Sequence, residues 1–170
     1  GCWELPLGLP IRQLIEEYGG GMRDGLELRA FLPGGGSTDF MLPEHLDLKL
    51  DYDEIAKVGS RLATGTMILL DNETCPVGMV GNLMKFFAHE SCGFCTPCRD
   101  GLPWVDEIFN EFESGRGTEK DLQILHEHVD YLGPGRTFCA LAPGATAPLG
   151  SGLKYFAEDF DRHIKEKCCP

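Results

Sequence analysis

The sequence predicts an α+β chain built in two parts, a small mixed half followed by an all-α half. Two observations carry this reading. From Pro76 onward apolar residues recur at the helical period, and before it one helical stripe and two strand-like runs are punctuated by glycine-rich turns. A length of 170 residues allows one compact domain or two small ones. The expected parts are 1–74 and 75–170, dividing near Cys75.

The first part opens at Gly1-Cys2-Trp3 without an obvious first strand, so it is expected to lack its own N-terminal edge. Pro10 stands where a helix can begin, because a first turn leaves its N–H groups unpaired anyway. Ile11, Leu14, Ile15 and Tyr18 follow at i, i+3, i+4 and i+7, one apolar stripe. Gly19, Gly20 and Gly21 stop it, since glycine accepts the left-handed conformation of a C-terminal cap. Leu26 to Leu32 alternates like a half-buried strand, and Pro33-Gly34-Gly35-Gly36 turns the chain. A helical turn is expected near Asp53 to Lys57, and a second strand over Thr66 to Leu70.

In the second part, Met79, Val80, Leu83, Phe86 and Phe87 mark a helix running to about Glu90. Leu102, Val105, Ile108, Phe109 and Phe112 mark another, ending at Ser114-Gly115. Thr118 and Asp121 have capping-box spacing, with Asp replacing the usual Glu, and open a third with Leu122, Leu125, Val129 and Leu132 on its buried stripe. Gly133-Pro134-Gly135 ends it. A last helix carries Leu149, Leu153, Phe156, Phe160 and Ile164. Four amphipathic helices on short loops make a four-helix bundle.

Charge narrows the partners. Fifteen Lys and Arg against 27 Asp and Glu leave a formal charge of −12, the wrong sign for nucleic acid or an anionic membrane. The longest strictly apolar run is five residues, Phe138 to Ala142, whereas a spanning helix needs about 20, so no membrane span is expected. No secretory leader is visible at the start of the sequence.

Cysteine placement carries the chemistry. Eight cysteines are spread unevenly: three at Cys92, Cys95 and Cys98, two at Cys168-Cys169. Thiols this close suit metal binding in a reducing compartment better than a disulfide framework. A Cys-x2-Cys-x2-Cys loop places three thiolates where each can bind a different iron of one cubane. A [4Fe–4S] cluster needs four, the fourth often from elsewhere in the chain. Cys139 is the natural candidate, because the loops after helices one and three of an up-down-up-down bundle fall at the same end. Gly93 permits close backbone approach, and Arg99 and Arg136 stand beside ligands as cations in an acidic chain.

The other features have plainer readings. Zinc takes the same ligands, but its loops usually supply two thiolates each. Cys2 and Cys75 read as spectator thiols, and Cys168-Cys169 as a frayed tail. His126 and His128, two apart, do not share a helix face. His45, His89 and His163 have no nameable partner. Gly34-Gly35-Gly36 reads as a turn, since no Walker-loop pattern accompanies it. The acidic residues show no pair suited to acid–base work.

The stretch Glu90-Ser91-Cys92-Gly93-Phe94-Cys95-Thr96-Pro97-Cys98-Arg99-Asp100-Gly101 resembles the signature of the NADH-binding, flavin-carrying subunit of respiratory complex I, Glu-Ser-Cys-Gly-x-Cys-x-Pro-Cys-Arg-x-Gly, at every fixed position. Gly20-Gly21-Met22-Arg23-Asp24-Gly25 and Pro33-Gly34-Gly35 look like that family's soluble-ligand-binding β-grasp domain. Gly133-Pro134-Gly135-Arg136-Thr137-Phe138-Cys139-Ala140 looks like its segment for the fourth cluster ligand, and Lys154-Tyr155-Phe156 sits where its closing helix would be.

The resemblance implies that Cys92, Cys95, Cys98 and Cys139 bind one [4Fe–4S] cluster. It implies a β-grasp domain over 1–74 and an iron–sulfur four-helix bundle over 75–170, together the C-terminal part of such a protein. In the intact protein NADH reduces FMN, which passes single electrons to this cluster and onward toward quinone. The implied partners are other peripheral-arm subunits, especially a small thioredoxin-like iron–sulfur subunit and a large multi-cluster subunit. The implied location is cytoplasmic, peripheral to the inner face of a bacterial plasma membrane. The family's glycine-rich nucleotide domain has no match in these 170 residues, so tight binding of NADH or FMN and NADH dehydrogenase activity are not expected of this chain alone. The same loop occurs in diaphorase subunits of NAD-linked hydrogenases and formate dehydrogenases. A zinc-binding interaction module and a regulatory β-grasp module are readings of other classes.

Overall fold

Pro10 occupies the N-cap of the first helix and Ile11 begins it, as the missing proline N–H allows. The structure is a computed structural model that describes residues 1–167 and Cys169; the expected tail pair therefore falls partly outside the described residues, at Cys168. Packing separates Gly1–Thr74 from the chain from Cys75 onward. The fold is a helix-rich α+β arrangement with one two-stranded antiparallel sheet among the described residues. No helix in them is long and apolar enough to cross a membrane.

In the first unit, α1 (Ile11–Gln13) passes directly into a π-helical turn, Leu14–Tyr18, closed by the Gly19 N–H on the Leu14 carbonyl at 2.9 Å. The wider turn changes the face. Ile11 and Ile15 are buried, but Tyr18, expected on the same stripe, is exposed. Gly20 and Gly21 carry φ of +82° and +74°, which terminates the helix.

Strand β1 (Leu28–Leu32) pairs with β2 (Ile68–Asp71), Ala30 opposite Leu70 and Leu32 opposite Ile68, with an irregularity between Leu28 and Ala30. The alternation expected of β1 is absent: Ala30, Phe31 and Leu32 are all buried. Phe31 also exchanges both backbone hydrogen bonds with Met41 at 2.8 Å, so β1 has neighbours on both edges. Phe31 and Met41 then join Ile11, Ile15, Ile55 and Leu62 in one core. Ile55 comes from α2 (Tyr52–Lys57), whose Asp51 N-cap accepts the Asp53 and Glu54 N–H groups. Gly34 packs so tightly on the Leu62 carbonyl that a Cβ would lie 2.3 Å from its oxygen. The glycine run is thus a packing turn.

The second unit is helical: α3 (Pro76–Glu90), α4 (Thr96–Glu113), α5 (Glu119–Tyr131), α6 (Leu141–Tyr155) and α7 (Ala157–Glu166). Among the described residues this unit has five helices where four are expected, because the last expected helix is two. At Phe156 the backbone leaves the helical region (φ −118°, ψ 27°), and the Asp159 N–H then bonds the Phe156 carbonyl at 2.9 Å. The apolar spacing runs through the break unaltered, with Phe156 and Phe160 both buried. Helix α4 begins six residues before the first expected apolar marker and contains Pro103. The buried side of α3 is Val77, Val80, Met84 and Phe87, while Phe86 is exposed. Gly81 lets α3 approach α4; a Cβ there would meet Phe109 at 3.1 Å. Phe109, Phe112 and Phe160 fill the centre, ring centroids 5.6–6.5 Å apart.

Candidate metal centre

Helix α3 ends at Glu90 and α4 starts at Thr96, so the cysteine loop is one tight connection. Each thiol therefore has a different setting. Cys92 lies exposed on the loop, Cys95 is half-buried at the N-cap of α4, and Cys98 is buried in its first turn. Gly93 has φ of +77°, a conformation side chains disfavour, and its N–H donates to Ser91 Oγ at 3.3 Å. Ser91 Oγ lies 3.1 Å from Cys98 Sγ. No intrahelical carbonyl is available to the first-turn N–H groups of Thr96 and Cys98.

A second loop meets the first. Between α5 and α6 the chain runs irregularly from Gly133 to Ala140, and the Phe138 N–H donates to Cys95 Sγ at 3.4 Å. Cys139, the next residue, is exposed, and its Sγ accepts the Leu141 N–H at 3.5 Å. The Phe94 and Phe138 rings, both exposed, meet edge to face with centroids 5.7 Å apart. The connections after α3 and α5 thus converge at one end of the helices. That brings the Cys92–Cys98 loop and the Cys139 segment together.

The two expected cations behave differently. Arg99 grips the Asp100 carboxylate at 3.1 and 3.2 Å and reaches the Gly93 carbonyl at 3.5 Å. The Asp100 hydrogen bond raises the guanidinium pKa further. Arg99 is thus ion-paired with the neighbouring carboxylate. Arg136 lines a cleft of about 450 Å³ beside the two loops, with Thr96, Pro97, Asp100, Trp104 and His128.

The histidines also find places. His45 Nδ1 accepts the Leu42 N–H at 3.0 Å, and exposed His89 stands 3.0 Å from Glu90. His128 is buried against Trp104, its Nδ1 donating to the Ile124 carbonyl, whereas His126 is exposed. His163 is buried with Nε2 3.5 Å from Cys75 Sγ, a contact across 88 residues that no local spacing announces. Ser91 is legible in the sequence only as part of the cysteine signature.

Comparison with known proteins places this geometry. The family model for the NADH-ubiquinone oxidoreductase-F iron-sulfur binding region matches residues 78–163, just over half the chain. The F subunit of NADH-quinone oxidoreductase from Escherichia coli is 51% identical over 98% of this chain and 37% of that protein. Its namesake from Streptomyces coelicolor is 44% identical over 100% of this chain and 37% of that protein. The chain thus spans 37% of the length of these curated relatives. Among solved structures, an NAD+-reducing [NiFe]-hydrogenase in its H2-reduced state superposes with a TM-score of 0.79 at 26% identity, covering 100% of this chain and 28% of that one. The matched residues include both converging loops and the helices between them, and the chain belongs to the family of the NADH-ubiquinone oxidoreductase-F iron-sulfur binding region.

Proposed function

We propose that this chain is the electron-transfer portion of an NADH-oxidising subunit of an NADH:quinone oxidoreductase, with Cys92, Cys95, Cys98 and Cys139 holding one [4Fe–4S] cluster. The observation that carries the proposal is the Phe138 N–H on Cys95 Sγ, which draws the fourth cysteine's segment onto the three-cysteine loop inside the family-matched region. The donor set fits: four thiols on two loops, without a carboxylate or imidazole among them. When bound, the cluster supplies one-electron transfer.

The residues of the chain do the rest. Helices α3 to α6 fix where the thiolates stand. N–H groups of Phe138 and Leu141 donate to Cys95 and Cys139 sulfur, and the Ser91 hydroxyl stands against Cys98. Donors to thiolate sulfur favour the more negative, reduced state and so raise the potential. In the intact protein electrons arrive from FMN reduced by NADH and leave toward quinone. On this reading neither nucleotide is assigned to these 170 residues, so NADH dehydrogenase activity is not expected of them alone. The first unit is a β-grasp scaffold, and the second is the iron–sulfur bundle, with α6 and α7 together in the place of its last helix. The partners are the thioredoxin-like and multi-cluster iron–sulfur subunits of a peripheral arm, on the cytoplasmic face of a bacterial membrane.

A second reading, the diaphorase subunit of an NAD-linked hydrogenase, is favoured by the likeness to the NAD+-reducing hydrogenase structure. Co-purification separates the two by the partner that comes down. The cluster itself is tested by anaerobic isolation with iron and sulfide counting and low-temperature electron paramagnetic resonance. A brown protein with a cubane's iron and sulfide and a reduced-state signal is expected. Zinc bound by the four cysteines in place of iron overturns the assignment, and stoichiometric flavin overturns the division of labour.

A further inference from the structure

Away from the two cysteine loops, four donors meet at the other end of the helical unit. Cys75 at the N-cap of α3, Glu113 at the end of α4, His163 on α7 and Cys169 beyond it offer ligand atoms all within 4.8 Å of one another. We propose that these residues form a second metal site, and that the metal is zinc held structurally.

Histidine geometry is the strongest argument. His163 Nδ1 lies 2.7 Å from the Asp159 carbonyl oxygen, which can only accept, so Nδ1 carries the proton. In the neutral ring Nε2 is then a bare lone pair. It faces Cys75 Sγ at 3.5 Å and Glu113 Oε1 at 3.8 Å. A carbonyl that fixes the tautomer and aims the other nitrogen is the usual setting of a metal-binding histidine. The His163 side chain has no solvent exposure, so its donor is aimed within the protein.

Spacing and chemistry agree. Tetrahedral zinc with ligand bonds of about 2.0–2.3 Å separates its donors by roughly 3.3–3.8 Å, the range of both contacts to Nε2. Two sulfurs, one imidazole and one carboxylate suit a borderline-soft ion and are wrong for magnesium or calcium. The Gly78 N–H donates to Cys75 Sγ at 3.4 Å, at the start of α3. Four protein ligands would close the shell, as in structural rather than catalytic zinc sites. The ion would tie the start of α3, the end of α4 and the end of α7. Two of these, α4 and α7, are the helices whose Phe109, Phe112 and Phe160 pack together.

The test uses the full chain, isolated anaerobically with its iron intact and equilibrated with zinc chloride. Zinc content is read beside iron content, and the zinc X-ray absorption edge reports the ligands. One zinc per chain is expected, with sulfur at about 2.3 Å and nitrogen or oxygen at about 2.0 Å. Cys169→Ser, at an exposed site near the chain end, keeps the core intact and should weaken zinc binding by at least about tenfold with iron unchanged. Cys75→Ser should do the same. Four results each overturn the site: no zinc retained, zinc surrounded by sulfur alone, zinc lost from Cys92→Ser but kept by Cys169→Ser, or a Cys75–Cys169 disulfide in the anaerobic protein. Because iron and zinc are counted separately, failure here is distinguishable from failure of the cluster assignment.

Discussion

The Phe138 N–H donates to Cys95 Sγ at 3.4 Å, joining two loops that are 43 residues apart in sequence. Cys95 is also the N-cap of α4, and its carbonyl accepts the Arg99 N–H at 2.9 Å. One residue therefore starts a helix, receives the neighbouring loop and presents a thiol. With a metal group bound, folding and ligation are coupled, because the unfolded chain has no preformed site. Cys95→Ala is expected to lose the cluster and to lower the melting temperature of the anaerobically isolated chain. Iron counting and thermal unfolding check it, and unchanged values in both would remove Cys95 from the ligand set.

Thr118 and Asp121 form a reciprocal cap: Thr118 Oγ1 accepts the Asp121 N–H at 3.3 Å, and Asp121 Oδ2 accepts the Thr118 N–H at 3.0 Å. Helix α5 has 13 residues and leads into the loop that carries Cys139. Thr118→Ala should cost about 1 kcal/mol, the usual worth of an N-cap oxygen. Urea unfolding of the variant measures it, and an unchanged midpoint would contradict the cap's contribution.

That cap is readable in the sequence because it is local, four residues with a defined spacing. The cysteine loop is readable for the same reason. What escapes is non-local or leaves no compositional mark. Leu28–Leu32 looks half-buried, yet Met41 pairs with Phe31 on the second edge, and Ala30, Phe31 and Leu32 are buried in succession. The break at Phe156 carries no Gly or Pro, and the apolar spacing from Leu149 to Phe160 crosses it unchanged. The π turn after Gln13 rotates Tyr18 outward without altering the apolar pattern. His163 and Cys75 meet only because α7 returns to the start of α3, a contact set by tertiary packing.

Gly34 illustrates a glycine required by approach rather than by φ. A Cβ there would stand 2.3 Å from the Leu62 oxygen and 2.6 Å from its carbonyl carbon, both backbone atoms that no rotamer change can move. The Gly34 carbonyl also accepts from Thr64 Oγ1 at 3.1 Å, so the two segments are tied as well as close. Gly34→Ala should destabilise the first unit by about 1–3 kcal/mol, the range for overpacking a filled site. Hydrogen exchange would show faster opening at Phe31 and Gly65, whose N–H groups bond the Met41 and Leu62 carbonyls at 2.8 Å, and unaltered protection there would argue against the clash.

Arg12 holds Asp47 through two hydrogen bonds, Nε to Oδ1 at 2.8 Å and a terminal guanidinium nitrogen to Oδ2 at 3.2 Å. The pair links α1 to the segment after the 3₁₀ turn Pro43–His45. The Arg12 hydrogen bond, opposed by partial desolvation and aided by the charge, lowers the Asp47 pKa below its ordinary 3.8. A carboxylate whose folded pKa is depressed contributes stability that is present above the unfolded value and fades as pH falls through the folded one. The contribution should therefore be complete at neutral pH and disappear only below the ordinary Asp range. Both groups are solvent-exposed, so added salt should shrink it. Carbon NMR of the Asp47 carboxyl should titrate below 3.8, and Arg12→Gln should return the midpoint toward that value. A midpoint at or above it in the unmodified chain would show that the pair does not persist in solution.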